Sequence, residues 1–170
     1  MECFVESIEK SIETENWYGA LTLAITLPDI CGRLNNPKWG SQKRFEKWFN
    51  KYMHHHYKSS FHGEGFTFLS GSDCYALRCA FLHEGTDDVT RQRAREVVSK
   101  FTFSTTGSHR CMVDDVLVLN LQAFCSEICE GVRSWQKEYE NDSNIVSGLA
   151  ELLKVQTKGF SPAPGIFIES

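Results

Sequence analysis

No apolar run in this chain reaches the roughly 18 residues that a membrane span needs, so no segment is expected to cross a bilayer. The first ten residues, MECFVESIEK, lack a basic region followed by an apolar stretch, which argues against a secretion signal. The seven cysteines (Cys3, Cys31, Cys74, Cys79, Cys111, Cys125 and Cys129) form no Cys-x-x-Cys pair. Odd in number and mostly set among apolar residues, they read as reduced core side chains of a cytoplasmic protein. Cys125 and Cys129 stand one helical turn apart, but no second pair completes a tetrahedral zinc site. The chain has no G-x-S-x-G elbow and no Walker loop, which argues against hydrolases of that kind and NTPases. His83-Glu84-Gly85 does not extend to H-E-x-x-H, because Asp87 occupies the second histidine position. Neither an internal repeat nor a low-complexity tract is visible.

What is present is ordinary in bulk: 170 residues, 41% apolar and 24% charged. That suits one domain over 1–170, with 158–170 as a loose tail, and gives enough core to fold without a metal or disulfide staple. A net charge of −4 excludes a bulk polyanion binder, yet the cations are clustered. Residues 38–58 carry Lys38, Lys43, Arg44, Lys47, Lys51 and Lys58 against Glu46 alone. Residues 91–100 carry Arg91, Arg93, Arg95 and Lys100 against Glu96. Such patches can hold phosphates, and Lys43, Arg44, Lys47, Lys51, Arg91 and Arg93 are the candidate RNA contacts. A solvated helix face is the plain alternative for each.

The periodicity predicts a mainly α fold. A short helix is expected over 3–13 and a second, apolar on nearly every side, over 15–34, kinked at Pro28. A third starts at Ser41 as its N-cap, with Phe45, Trp48, Phe49, Tyr52 and Met53 on one stripe. Residues 58–71 read as a Gly/Ser-rich loop. A fourth helix is capped by Ser72 or Asp73 and stopped by Gly85. Strand-like runs over 97–104, 109–113 and 116–119 predict a small antiparallel insert around 97–119. Asn120 caps a long helix carrying Phe124, Ile128, Val132 and Trp135, and a last helix carries Ile145, Leu149 and Leu152.

The fourth helix holds the chemistry. Between Asp73 and Glu84 every residue except Arg78 and His83 is apolar or aromatic. A charge in such a helix must be paired, and Asp29, itself in an apolar helix, is the candidate partner. Glu84 is a second possible orienting residue. His83 stands in the last turn, where the negative helix end attracts a cation, and imidazole serves as acid or base near neutral pH. On a regular helix Arg78 and His83 lie about 140° apart, so one copy makes a poor two-residue site, and the spacing points to two copies meeting in a homodimer. The run His54-His55-His56 with His62 invites a metal reading, but adjacent helical histidines diverge, so no metal is assigned.

Arg-x-x-x-x-His near the end of an apolar, capped helix resembles the HEPN ribonuclease superfamily. The stretches YALRCAFLHEG, LPDICGRL and KRFEKWFNKY resemble a group of bacterial HEPN-like proteins, the likeness covering residues 15–85. The resemblance implies a compact HEPN-like helical bundle and a metal-independent endoribonuclease of toxin–antitoxin or phage-defence type. It needs no cofactor, acts at a homodimer interface and answers to an antitoxin or other regulatory protein. Arg78 would hold the scissile phosphate and His83 would move the proton. In some toxins of the superfamily a tyrosine two positions after the histidine accepts an inactivating nucleotide; Gly85 stands there, so that control is absent. Other members are non-catalytic modules that bind RNA, a nucleotide or a partner protein, and that remains the alternative.

Overall fold

A computed structural model describes residues 1–169, and its order of elements follows from a few local facts. The N-terminal helix α1 (Glu2–Glu13) buries Val5 and Ile8. Next, α2 (Trp17–Ala24) is capped by Asn16, whose side chain accepts the Gly19 N–H at 3.2 Å. The single kinked helix expected over 15–34 is in fact two. The chain breaks at Ile25–Thr26, and α3 (Leu27–Asn35) starts afresh with Pro28 in its first turn. Proline lacks an N–H and its ring clashes with the carbonyl four residues back, so it suits a helix start and disrupts an interior.

The helix α4 (Ser41–Tyr52) buries Phe45, Trp48, Phe49 and Tyr52 on the predicted stripe. Gly40, not Ser41, is its N-cap, and the Ser41 hydroxyl turns instead toward Asp29. The close approach of α3 to α4 depends on Gly32: a Cβ there would lie 2.5 Å from the Arg44 carbonyl oxygen. Backbone cannot swing aside as a side chain can. Gly32→Ala is therefore expected to cost about 1–3 kcal/mol, read as a lower urea midpoint with unchanged slope. An unchanged midpoint would mean that the two helices separate freely.

A one-turn helix α5 (His54–Tyr57) and a 3₁₀ turn (Ser60–His62) lead to α6 (Gly71–Cys79), which continues as a π turn (Ala80–Glu84). Then come β1 (Lys100–Ser104), β2 (Cys111–Val113) and β3 (Val116–Asn120). The insert is not purely antiparallel: β3 is central, paired parallel to β1 and antiparallel to β2. The chain after β1 crosses to the far edge of β3 because its end is pinned there. His109 accepts the Asn120 N–H at 3.1 Å, and Arg110 donates to the His56 carbonyl.

Asn120 ends β3 and caps α7 (Leu121–Glu138), accepting the Ala123 N–H at 3.0 Å. This central helix buries Phe124, Cys125, Ile128, Val132 and Trp135 against α1, α2 and α3. After α8 (Ser143–Ala150), the tail expected to be loose forms an exposed hairpin, β4 (Phe160–Ala163) with β5 (Ile166–Ile168). Pro164-Gly165 supplies the turn, with Gly165 at φ +79°. The fold is mainly α with a small sheet, and no helix among the described residues is long and apolar enough to cross a membrane.

Candidate active site

Helix α6 is fixed at both ends. Ser70, two or three residues before the predicted Ser72 or Asp73, caps it by accepting the Asp73 N–H at 3.0 Å. Asp73 is itself buried and receives the N–H groups of Glu96 at 2.7 Å and Val97 at 3.2 Å. The segment 85–99 is thereby tied back to the start of the helix. At the other end Gly85, at φ +68°, takes the left-handed position that stops the helix, and its N–H reaches the Phe81 carbonyl at 3.0 Å.

The last turn changes the site geometry. In a π turn the hydrogen bonds run i→i+5, one residue wider than in an α-helix. Residues five apart across it then come round toward one face. Arg78 Nη1 meets His83 Nε2 at 3.1 Å within one chain. The 140° separation expected of a regular helix does not hold, and with it goes the geometric need for a second copy. A guanidinium carries only donors, so His83 Nε2 is the acceptor in this contact.

Behind the pair lies Asp29, in the first turn of α3. Its carboxylate sits 3.7 Å from Arg78 Nη2, as anticipated, but its closer partners are Arg44 and Ser41. Arg44 donates through both Nε and Nη2, and the Ser41 hydroxyl donates at 3.2 Å. The hydrogen bond to Asp29 raises Arg44 above its ordinary value. Two guanidinium groups thus share one carboxylate, and the excess positive charge lies beside an exposed imidazole. Arg78 Nε is buried and has no partner. Tyr75, one turn before Arg78, packs edge-on against Phe45 at 5.5 Å, its hydroxyl beside Ser41 and Cys79. Burial raises that hydroxyl above its ordinary value, against the pull of Ser41 and Arg78.

The other predicted residues separate. Glu84 points away from the pair and accepts from Gln92 at 2.9 Å, so it anchors the 85–99 segment rather than orienting the site. Arg91 and Arg93, on that segment, are exposed and make no ion pair among the described residues. Lys43 lies 5.1 Å over the Trp39 ring, and Lys47 is exposed on the same helix. Lys51 is committed elsewhere: it pairs with Glu138, which raises its pKa, and lies between the Tyr52 and Tyr139 rings. It therefore leaves the set of RNA contacts. Of the α5 histidines, His55 and His56 bring their rings to 4.0 Å, and His56 faces Glu127 at 3.9 Å.

Sequence reasoning missed Ser41 and Tyr75 as neighbours of the pair, although Tyr75 at i−3 from Arg78 is a readable signal. It also missed a buried cluster on α7, where Glu127 accepts from the Tyr57 hydroxyl at 2.7 Å and His109 Nε2 at 3.1 Å, with Arg110 at 3.7 Å. Against family models, curated proteins and solved structures the chain gives no match.

Proposed function

We propose that the chain is a metal-independent endoribonuclease of toxin or defence type that cleaves RNA by attack of the 2′-hydroxyl on the adjacent phosphate. The observation that carries this reading is the 3.1 Å contact between Arg78 and His83, made by a π turn and backed by Asp29. π turns cluster at functional sites. A pair left unpartnered on the solvent side, beside an excess of positive charge, suits a phosphodiester.

The chemistry balances on these groups. A non-bridging phosphate oxygen takes the Arg78 donors, which releases the Nε2 lone pair of His83. His83 then accepts the proton of the 2′-hydroxyl as that oxygen bonds to phosphorus. Arg78 stabilises the charge that builds on the phosphoryl oxygens. The bond to the 5′-oxygen breaks, leaving a 2′,3′-cyclic phosphate on one fragment and a 5′-hydroxyl on the other. DNA, lacking the 2′-hydroxyl, is spared. The exposed cations Lys43, Lys47, Arg91 and Arg93 carry the flanking phosphates, whereas Arg44, like Lys51, is committed to its carboxylate.

The departing 5′-oxygen needs a proton, and in an in-line displacement it leaves on the side of phosphorus opposite the attacking 2′-oxygen, away from the imidazole that serves as base. The homodimer stays in the proposal for this reason: a second His83 facing the same cleft would serve as the acid. An antitoxin or other regulatory protein covering the exposed His83 is the matching form of control.

The test is cleavage of end-labelled structured and unstructured RNAs in EDTA. Cyclic-phosphate ends from wild type, and intact RNA with His83→Ala and Arg78→Ala, are the expected results. Intact RNA with folded wild type on every substrate overturns the enzyme reading. RNA retained without cleavage would establish instead a non-catalytic HEPN-like binding module.

A further inference from the structure

Helix α6 and its π turn have a second face. Arg78 and His83 lie on the charged one; Leu77, Phe81 and Gly85 line an open cavity of about 540 Å³ on the other. This volume falls within the range of small-ligand sites, roughly 300–1,000 Å³. Its walls are aromatic: Trp17 from α2, Phe81 from the π turn and Phe103 from β1 all contribute, and all three are half-buried. The rest of the rim is polar: the exposed Asp87 and Thr105 line it, with Thr86, whose hydroxyl accepts the Asp88 N–H at 3.2 Å. With a carboxylate and no cationic side chain in its lining, the cavity does not suit a phosphate, whereas a flat ring bearing amino donors fits both the walls and the rim.

We infer that this cavity receives one nucleobase of the RNA, and that it favours a base with an exocyclic amino group. The inference rests on the ribonuclease reading and supplies that site with base selectivity. Unstacked RNA bases are recognised by stacking on aromatic side chains and by hydrogen bonds at their edges. Adenine, cytosine and guanine each offer an amino donor; uracil offers none. Phosphate and base then take neighbouring faces of one helical turn, Leu77 and Arg78 standing about 100° apart on α6. Asp87 is half-exposed and meets Lys100 through Oδ2 at 3.7 Å, which leaves Oδ1 without a donor among the described residues.

The experiment is titration of the wild-type chain with AMP, CMP, GMP and UMP, followed by backbone amide NMR. Mononucleotides have no scissile bond, so the readout does not depend on cleavage. Saturable shifts at Thr86, Asp87 and Thr105 are expected at nucleotide concentrations up to ~10 mM, with UMP weaker by about tenfold. Two exposed positions give variants that keep the core intact. Thr105→Trp fills the mouth and abolishes the shifts; Asp87→Asn removes the preference over UMP.

The inference is overturned if no nucleotide saturates the folded chain, if binding survives Thr105→Trp, or if UMP binds as well as AMP. It is equally overturned if the chain is a dimer that Thr105→Trp dissociates, because the face is then a seam between copies. Nucleotide binding without RNA cleavage would sink the ribonuclease and leave the pocket. Cleavage without nucleotide binding would do the reverse.

Discussion

His83→Ala is expected to slow RNA cleavage roughly 10²- to 10⁴-fold, the usual contribution of a positioned acid–base group. The loss should appear in kcat, with little change in RNA affinity, because His83 faces the substrate's 2′-hydroxyl rather than its phosphates. Arg78→Ala should lose at least as much, since it removes both the phosphate contact and the group that holds the imidazole at 3.1 Å. Arg78→Lys separates the two roles. An ammonium supplies charge but not the planar fork, and it cannot meet His83 and Asp29 at once. It should recover binding more than rate. Folding is not at stake at His83, which is exposed at the end of its helix. Unaltered rates in His83→Ala would remove the imidazole from the mechanism, whatever the arginine does.

Glu127→Ala is expected to destabilise the fold by about 3–5 kcal/mol. The carboxylate is buried on α7 and is the common acceptor of Tyr57, His109 and Arg110. Without it a buried hydroxyl and a ring N–H lose their partner together, each at a cost of about 1–3 kcal/mol. The effect should also depend on pH. Burial alone would raise Glu127, but the donors His109 and Tyr57 and the charge of Arg110 outweigh it, so the carboxyl titrates below its ordinary 4.5. A group whose pKa is lowered by folding contributes stability above its unfolded value and loses it as pH falls through the folded one. The gap in unfolding free energy between wild type and Glu127→Gln should therefore be constant near neutrality and narrow below about pH 4.5. A gap that stayed level into the acid range would show that Glu127 is not held as a carboxylate. The readout is chemical denaturation at a series of pH values.

The helices were legible where one periodic face decides them. The stripe Phe45, Trp48, Phe49, Tyr52 and Met53 is buried as its spacing requires, and Asn120 caps α7. Pro28 announced an interruption, but whether it bends a helix or starts a new one depends on Thr26 and Leu27, which are permissive either way. The sheet was misjudged because parallel pairing of β1 with β3 comes from a distant anchor: Glu127 holds His109, and local alternation of residues says nothing of that.

Of the site, the residue types and the Asp29 partner were visible, since a charge in an apolar helix needs a counter-charge. The π turn was not. The sequence Ala80–Glu84 carries no proline or glycine to mark it, and the Gly85 that follows reads equally as the stop of a regular α-helix. Glu127 stood in plain view as the lone acid on an apolar face, and its partners at 57, 109 and 110 could be paired with it only after the chain had folded.

The π turn amounts to one residue added to a helix whose two faces do different work. Over Ala80–Glu84 the wider hydrogen-bonded ring turns the chain by about one residue, roughly 100°, less than an uninterrupted α-helix would. That single step of rotation brings His83 under Arg78, and it also sets the direction in which the chain leaves at Gly85 toward Asp87. The charged pair and the aromatic cavity therefore share one degree of freedom. Side chains on either face can be exchanged independently, but the length of the stretch between residues 78 and 85 cannot change without altering both faces together. Substitutions and single-residue deletions there should belong to separate classes of variant, the first affecting one face and the second both.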